Sequence, residues 1–179
     1  AEVLVSTMAA SAVADYIAVN IIGLRAVFDF DVEHRIPLRL YWAVVLLGVI
    51  LGILGVLYNK LLDKMQDFFD RFDSKFISIG IMLVISFLMM FIYPTVLGSG
   101  NNLVKVISDG KFTLAALAIL LVAKLFFSTG SFGTGTPGGI FLPILVIGAI
   151  TGGLYSTFLS TAFGVEEYYI KGFVIIAMA

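Results

Sequence analysis

Residues Gly130 to Leu145 read G-S-F-G-T-G-T-P-G-G-I-F-L-P-I-L, and they lie inside an uncharged run from Leu125 to Val165. One bilayer crossing needs roughly 20 apolar residues, so the run is long enough for more than one pass. Five glycines and Pro137 separate the apolar segment Leu114–Phe127 from the next, Ile140–Phe158. Lipid cannot satisfy an open backbone, so a broken segment at this depth is buried in protein or lines a wet cavity. A helix starting at Ile140 leaves its first amides unpaired and points its positive dipole end into that cavity. The competing reading is a packing notch, since small residues also let membrane helices approach closely.

Working outward, the composition settles the solvent. The chain has 179 residues, 60% hydrophobic and 13% charged, with a mean hydropathy of +1.09. Soluble domains carry roughly 25% charged residues, so this is an integral, multi-pass membrane protein. A net charge of −1 gives no case for nucleic acid. With no cysteine and one histidine, neither a disulfide framework nor a metal site is expected. The opening A-E-V-L-V-S-T-M and the closing G-F-V-I-I-A-M-A read as the cut ends of a longer polytopic protein.

Ala1 to Leu24 is a first apolar segment whose Ala9, Ala10, Ala12 and Ala14 suit helix–helix contact better than lipid. Asp15, a carboxylate at membrane depth, is a functional candidate by default; with Asn20 nearby, a polar interface role is expected instead. Arg25 to Arg39 is a charged connector holding His34, read as a solvated loop histidine. Leu40 to Tyr58 is uncharged and carries Gly48, Gly52 and Gly55, a spacing that lets a neighbouring backbone approach. Its helical periodicity continues through Leu61, Leu62, Met65, Phe68, Phe69 and Phe72. Lys60, Asp63, Lys64, Asp67, Asp70 and Arg71 take the other face, which predicts one long, tilted helix leaving the membrane.

Phe76 to Leu97 forms the next span, ending near Pro94. Gly98 to Phe112 is a polar interlude with room for a short helix at the membrane edge. Thr113 to Ser128 follows, with Lys124 near its end. That lysine either snorkels to water or adds positive potential to a nearby anion path. Ile140 to Phe163 is next, then a polar corner with Glu166, Glu167, Tyr168, Tyr169 and Lys171. Lys60, Lys64, Arg71 and Lys75 outnumber Arg25, Arg35 and Arg39, which favours the 60–75 side as cytoplasmic.

The wording T-P-G-G-I-F-L-P resembles the second-half signature of the CLC family of chloride channels and chloride/proton antiporters. Its G-x-F-x-P pattern is carried by Gly139, Ile140, Phe141, Leu142 and Pro143, preceded by Pro137 and Gly138. Other stretches resemble the family in order: V-A-D-Y-I-A-V-N-I-I-G, the helix closing its first half; L-Y-W-A-V-V-L-L-G through Y-N-K and M-Q-D, the tilted helix opening its second; and G-S-G-N-N-L-V, its glycine-rich turn. The likeness runs over nearly the whole chain, although the loop S-T-G-S-F-G-T-G-T-P looks longer than many members show.

The resemblance implies an all-α fold with tilted and re-entrant helices, a fragment of a double inverted repeat. Residues 1–24 would end the first repeat and 38–179 begin the second. It implies a homodimer in the cell membrane, with an anion pathway in each subunit and the Ala/Ser-rich face of the first segment at or near the dimer interface. Broken helices there point their N-termini at a dehydrated halide. Carried over, the amides of Ile140 and Phe141 would bind the anion. Gly138 and Gly139 would let the backbone come close, Pro143 would fit the first helical turn, and Lys124 sits where the family tends to keep a basic residue. Chloride or another small anion, fluoride and nitrate included, is the implied cargo, and no cofactor, metal or catalytic residue is implied. The gating and proton-coupling residues, and the tyrosine completing the central site, would lie outside this stretch, so channel and antiporter stay open. Two rivals remain: another secondary transporter binding an anionic solute or sodium, and an intramembrane enzyme, which would need a nucleophile with a base or metal ligands.

Overall fold

The computed structural model describes residues 2–21, 23, 36–98, 100–108, 112–136 and 138–179. The chain divides into two compact units, Ala1–Asp31 and Val32–Ala179. Among the described residues every regular element is helical. In the first unit, α1 spans Glu2–Asn20. It mixes alanines with Val, Leu, Met and Ile and has no pronounced apolar stripe, and Asp15 on it is exposed. The Asn20 side chain turns back to donate to the Tyr16 carbonyl at 3.0 Å, so it caps its own helix. Arg25, His34 and Arg35 fall outside the described residues.

In the second unit, a 3-10 turn at Leu38–Leu40 leads into α2, Tyr41–Phe69, of 29 residues. At 1.5 Å per residue such a helix is about 44 Å long, more than the roughly 30 Å of hydrocarbon, as its charged second half required. The helix stops at Phe69, leaving Phe72 in the turn beyond, where its amide donates to the Phe69 carbonyl at 3.1 Å. Among the described residues, nothing lies within 4 Å of a Cβ built at Gly48, Gly52 or Gly55, so the approach their spacing allows is not made there.

Helix α3, Lys75–Ile92, ends earlier than its apolar run. Pro94 disfavours helical geometry at the residue before it, and Tyr93 is accordingly non-helical (φ −152°, ψ 73°). A 3-10 turn, Pro94–Val96, follows. The expected short helix is α4, Asn101–Ser108, with Leu103, Val104 and Ile107 buried. It packs on α6, where a Cβ at Gly153 would collide with the Ile107 side chain.

Helix α5 spans Leu114–Gly133 and α6 spans Phe141–Phe163. Thr113 caps α5 by accepting from the Ala116 amide at 3.4 Å. Gly164, at φ 65°, ends α6 in the left-handed conformation. A 3-10 turn, Glu167–Tyr169, then starts α7, Ile170–Met178. The centre of the unit is α6, buried from Val146 to Gly153, with α7, α5 and α4 around it. Tyr155 ties α6 to α2 by donating to the Ala43 carbonyl at 2.8 Å, and its ring meets Phe173 edge-on at 5.8 Å.

Among the described residues, four stretches are long and apolar enough to cross a membrane: Leu38–Phe69, Lys75–Ile92, Leu114–Gly133 and Phe141–Phe163. The all-α, multi-pass reading of the sequence holds.

Candidate functional site

The break between α5 and α6 is shorter than the glycines suggested. Gly130 to Gly133 are helical, so the connection runs only from Thr134 to Ile140. Gly133 is a packing notch: a Cβ there would lie 2.7 Å from the Met65 Cβ on α2. Ser128 to Gly133, read from the sequence as part of the loop, are thus the end of α5. Beyond it, the Gly135 amide donates to the Phe132 carbonyl at 3.1 Å. The Thr134 hydroxyl donates to the Ser131 carbonyl at 2.8 Å and pairs with the Thr136 hydroxyl at 2.9 Å. Hydroxyls thereby take up polar groups that a bilayer would leave unsatisfied.

Helix α6 begins at Phe141, with Ile140 as its N-cap and no side chain capping it. The first bond of the new helix runs from the Ile144 amide to the Ile140 carbonyl at 3.2 Å. The amides of Phe141 and Leu142 therefore have no partner within the helix, and Pro143 brings no donor of its own. The Phe141 side chain is 74% exposed, so its backbone rather than its ring belongs to the break. Gly138 lies against Phe132, whereas a Cβ on Gly139 would meet nothing within 4 Å. Pro137 is outside the described residues.

Gly139 opens onto a cavity of about 320 Å³ whose walls include Gly98, Lys124, Ser128, Phe132 and Pro143. Lys124 does not snorkel. It stands in the middle of α5, only 1% exposed, because α5 runs on past Ser128. Its ammonium donates to the carbonyls of Val96 and Gly98 at 2.8 Å each. Those carbonyls belong to the turn after Pro94, so the lysine staples the approach to α4 onto α5. Among the described residues the ion pair seen is Arg39–Glu166, at 3.7 Å, and Lys124 has no carboxylate beside it. A buried cation held by neutral dipoles keeps its charge uncompensated.

The structure thus brings Gly139, Pro143 and Lys124 to one cavity, with the α6 N-terminus at Ile140 and Phe141 next to it. Sequence reading missed Ser128 and the Val96–Gly98 carbonyls. Ser128 follows Lys124 by four residues, one helical turn, a signal that was available. The carbonyls are backbone groups and leave no trace in side-chain identity.

A model of the voltage gated chloride channel family matches residues 1–179, the whole chain. The chain belongs to that family. Chloride transport across a membrane is the business of that family, and integral, multi-pass placement follows from the family together with the four apolar spans among the described residues. A family of chloride channels and transporters is not one of enzymes.

Proposed function

We propose that the cavity beside the start of α6 is a station on a chloride pathway. The anion is held there by the amides of Ile140 and Phe141, with Gly138, Gly139 and Pro143 shaping the approach and the charge of Lys124 behind it. The observation that carries this reading is Lys124, buried in the cavity wall close to the start of α6 and, among the described residues, in no ion pair with a carboxylate. Both features favour an anion and disfavour a cation. Backbone dipoles replace the hydration shell, and their weak, distributed attraction allows release. No cofactor and no covalent chemistry enter. The division of the chain at Asp31 is in keeping with a repeat boundary between residues 24 and 38, and the small-residue face of α1 with a homodimer contact.

Gly139→Val tests the site. The added side chain meets no protein atom near its Cβ, so the fold should persist while the cavity is obstructed. In liposomes the full-length protein should pass chloride but not potassium, and this variant should lose most of the flux. Unchanged flux would show that no ion meets the backbone there, and sodium-driven solute uptake would point to a different secondary transporter.

A further inference from the structure

Helices α2 and α5 share a buried hydrogen bond between Tyr58 Oη and Ser128 Oγ, 3.0 Å long, in which either oxygen can donate. Tyr58 is 6% exposed and Ser128 3%. The two hydroxyls carry two protons and their mutual bond uses one. Among the described residues neither oxygen has another hydrogen-bond partner. One donor is therefore left over at membrane depth, where an unmade hydrogen bond is expensive.

The two orientations place that spare proton in different spaces. When Tyr58 donates, the spare proton belongs to Ser128, which lines the cavity with Lys124 and Gly139. When Ser128 donates, it belongs to Tyr58, which lines a second groove of about 390 Å³ with Asn59 and Gly148. We propose that the Ser128 hydroxyl is an anion ligand of the α5–α6 cavity, and that Tyr58 positions it by donating to its oxygen. An anion in the cavity selects the first orientation, because only that one offers it a proton. Leu125 and Ile147 pack around Tyr58 and hold the phenol in place. Without Tyr58, the serine hydroxyl can instead turn back onto the Lys124 carbonyl one helical turn earlier. The inference rests on the chloride pathway proposed above and adds a side-chain ligand and its positioning residue to it.

The test measures chloride flux of the full-length protein in liposomes as a function of chloride concentration. Losing one hydrogen bond to the anion should raise the half-saturating concentration by about 2- to 10-fold in Ser128→Ala, with the maximal rate held or increased. Ser128→Thr should restore it. Tyr58→Phe keeps the ring in its packing and should shift half-saturation in the same direction by less, carrying the test if Ser128→Ala fails to fold. The double variant should be no worse than Ser128→Ala, since the two act through one proton. Wild-type half-saturation in Ser128→Ala, or Ser128→Thr as impaired as Ser128→Ala, would overturn the assignment. If Gly139→Val abolishes flux while Ser128→Ala does nothing, the ligand is wrong and the pathway stands. If Gly139→Val does nothing either, the pathway itself falls.

Discussion

Lys124 shows how one side chain can serve structure and electrostatics together. Its two hydrogen bonds hold the Val96–Gly98 backbone against α5, and the same residue lines the cavity. Lys124→Met keeps most of the stem volume but leaves two carbonyls without a donor. Unsatisfied buried acceptors cost about 1–3 kcal/mol each, so unfolding in detergent should begin at clearly lower denaturant. Chloride flux should fall as well. Lys124→Arg retains charge and donors, and it should recover stability better than Lys124→Met does. Equal stability of Lys124→Met and the wild type would mean that the two bonds contribute nothing. The lysine was visible in the sequence as an anomaly in an apolar segment, but its partners were not. They are main-chain oxygens more than 25 residues away, brought close only by the packing of the Pro94 turn on α5.

Among the elements, α6 decides how the second unit is assembled. Its glycines are where other helices cross: a Cβ on Gly152 would lie 2.7 Å from the Ala177 Cβ and 2.8 Å from the Phe173 carbonyl oxygen. Close backbone approach is what small residues supply between membrane helices, where dispersion and packing replace the hydrophobic drive. Gly152→Val should push α7 away and reduce the yield of monodisperse protein in detergent. Gly48→Val on α2, where nothing lies within 4 Å, serves as its counterpart within this chain. A Gly152→Val protein eluting and melting like wild type would show that the α6–α7 contact is dispensable. The same glycine-rich vocabulary therefore means three things here: a notch at Gly133 and Gly152, an opening at Gly139, and, among the described residues, a face without close contact at Gly48, Gly52 and Gly55. Sequence spacing does not separate them, because each depends on which helix lies opposite.

On the scale of the whole molecule, the surface is organised for lipid. Val45, Val49, Ile53 and Val56 on α2, and Leu83, Phe87 and Phe91 on α3, are large apolar side chains left exposed. Such patches mark contact with membrane or protein. Where α2 begins and α6 ends, the character changes. Trp42 meets Phe163 at 5.9 Å, Tyr41 and Tyr168 are exposed, and Arg39 pairs with Glu166. Aromatic rings with a polar edge collect at headgroup depth, so this corner is expected at one face of the bilayer. The component of tryptophan fluorescence lost in Trp42→Phe should be quenched more by lipids brominated near the headgroup than by those brominated near the chain ends. The reverse order would place the corner inside the hydrocarbon.

Composition alone determined the solvent of this protein, because 60% apolar residues cannot be hidden inside so short a chain and must face lipid. Hydrophobic periodicity determined the order of the helices and the long reach of α2, since both are local properties of the chain. The wording around Gly139 and Pro143 marked where a helix starts within an apolar run. Tertiary structure decided the rest: that α5 runs on to Gly133, that Lys124 is sealed from water, and that Ser128 meets Tyr58 across 70 residues of sequence. Each of those depends on a surface contributed by a distant part of the chain, and pairing between distant surfaces is set by packing rather than by any residue's own preference.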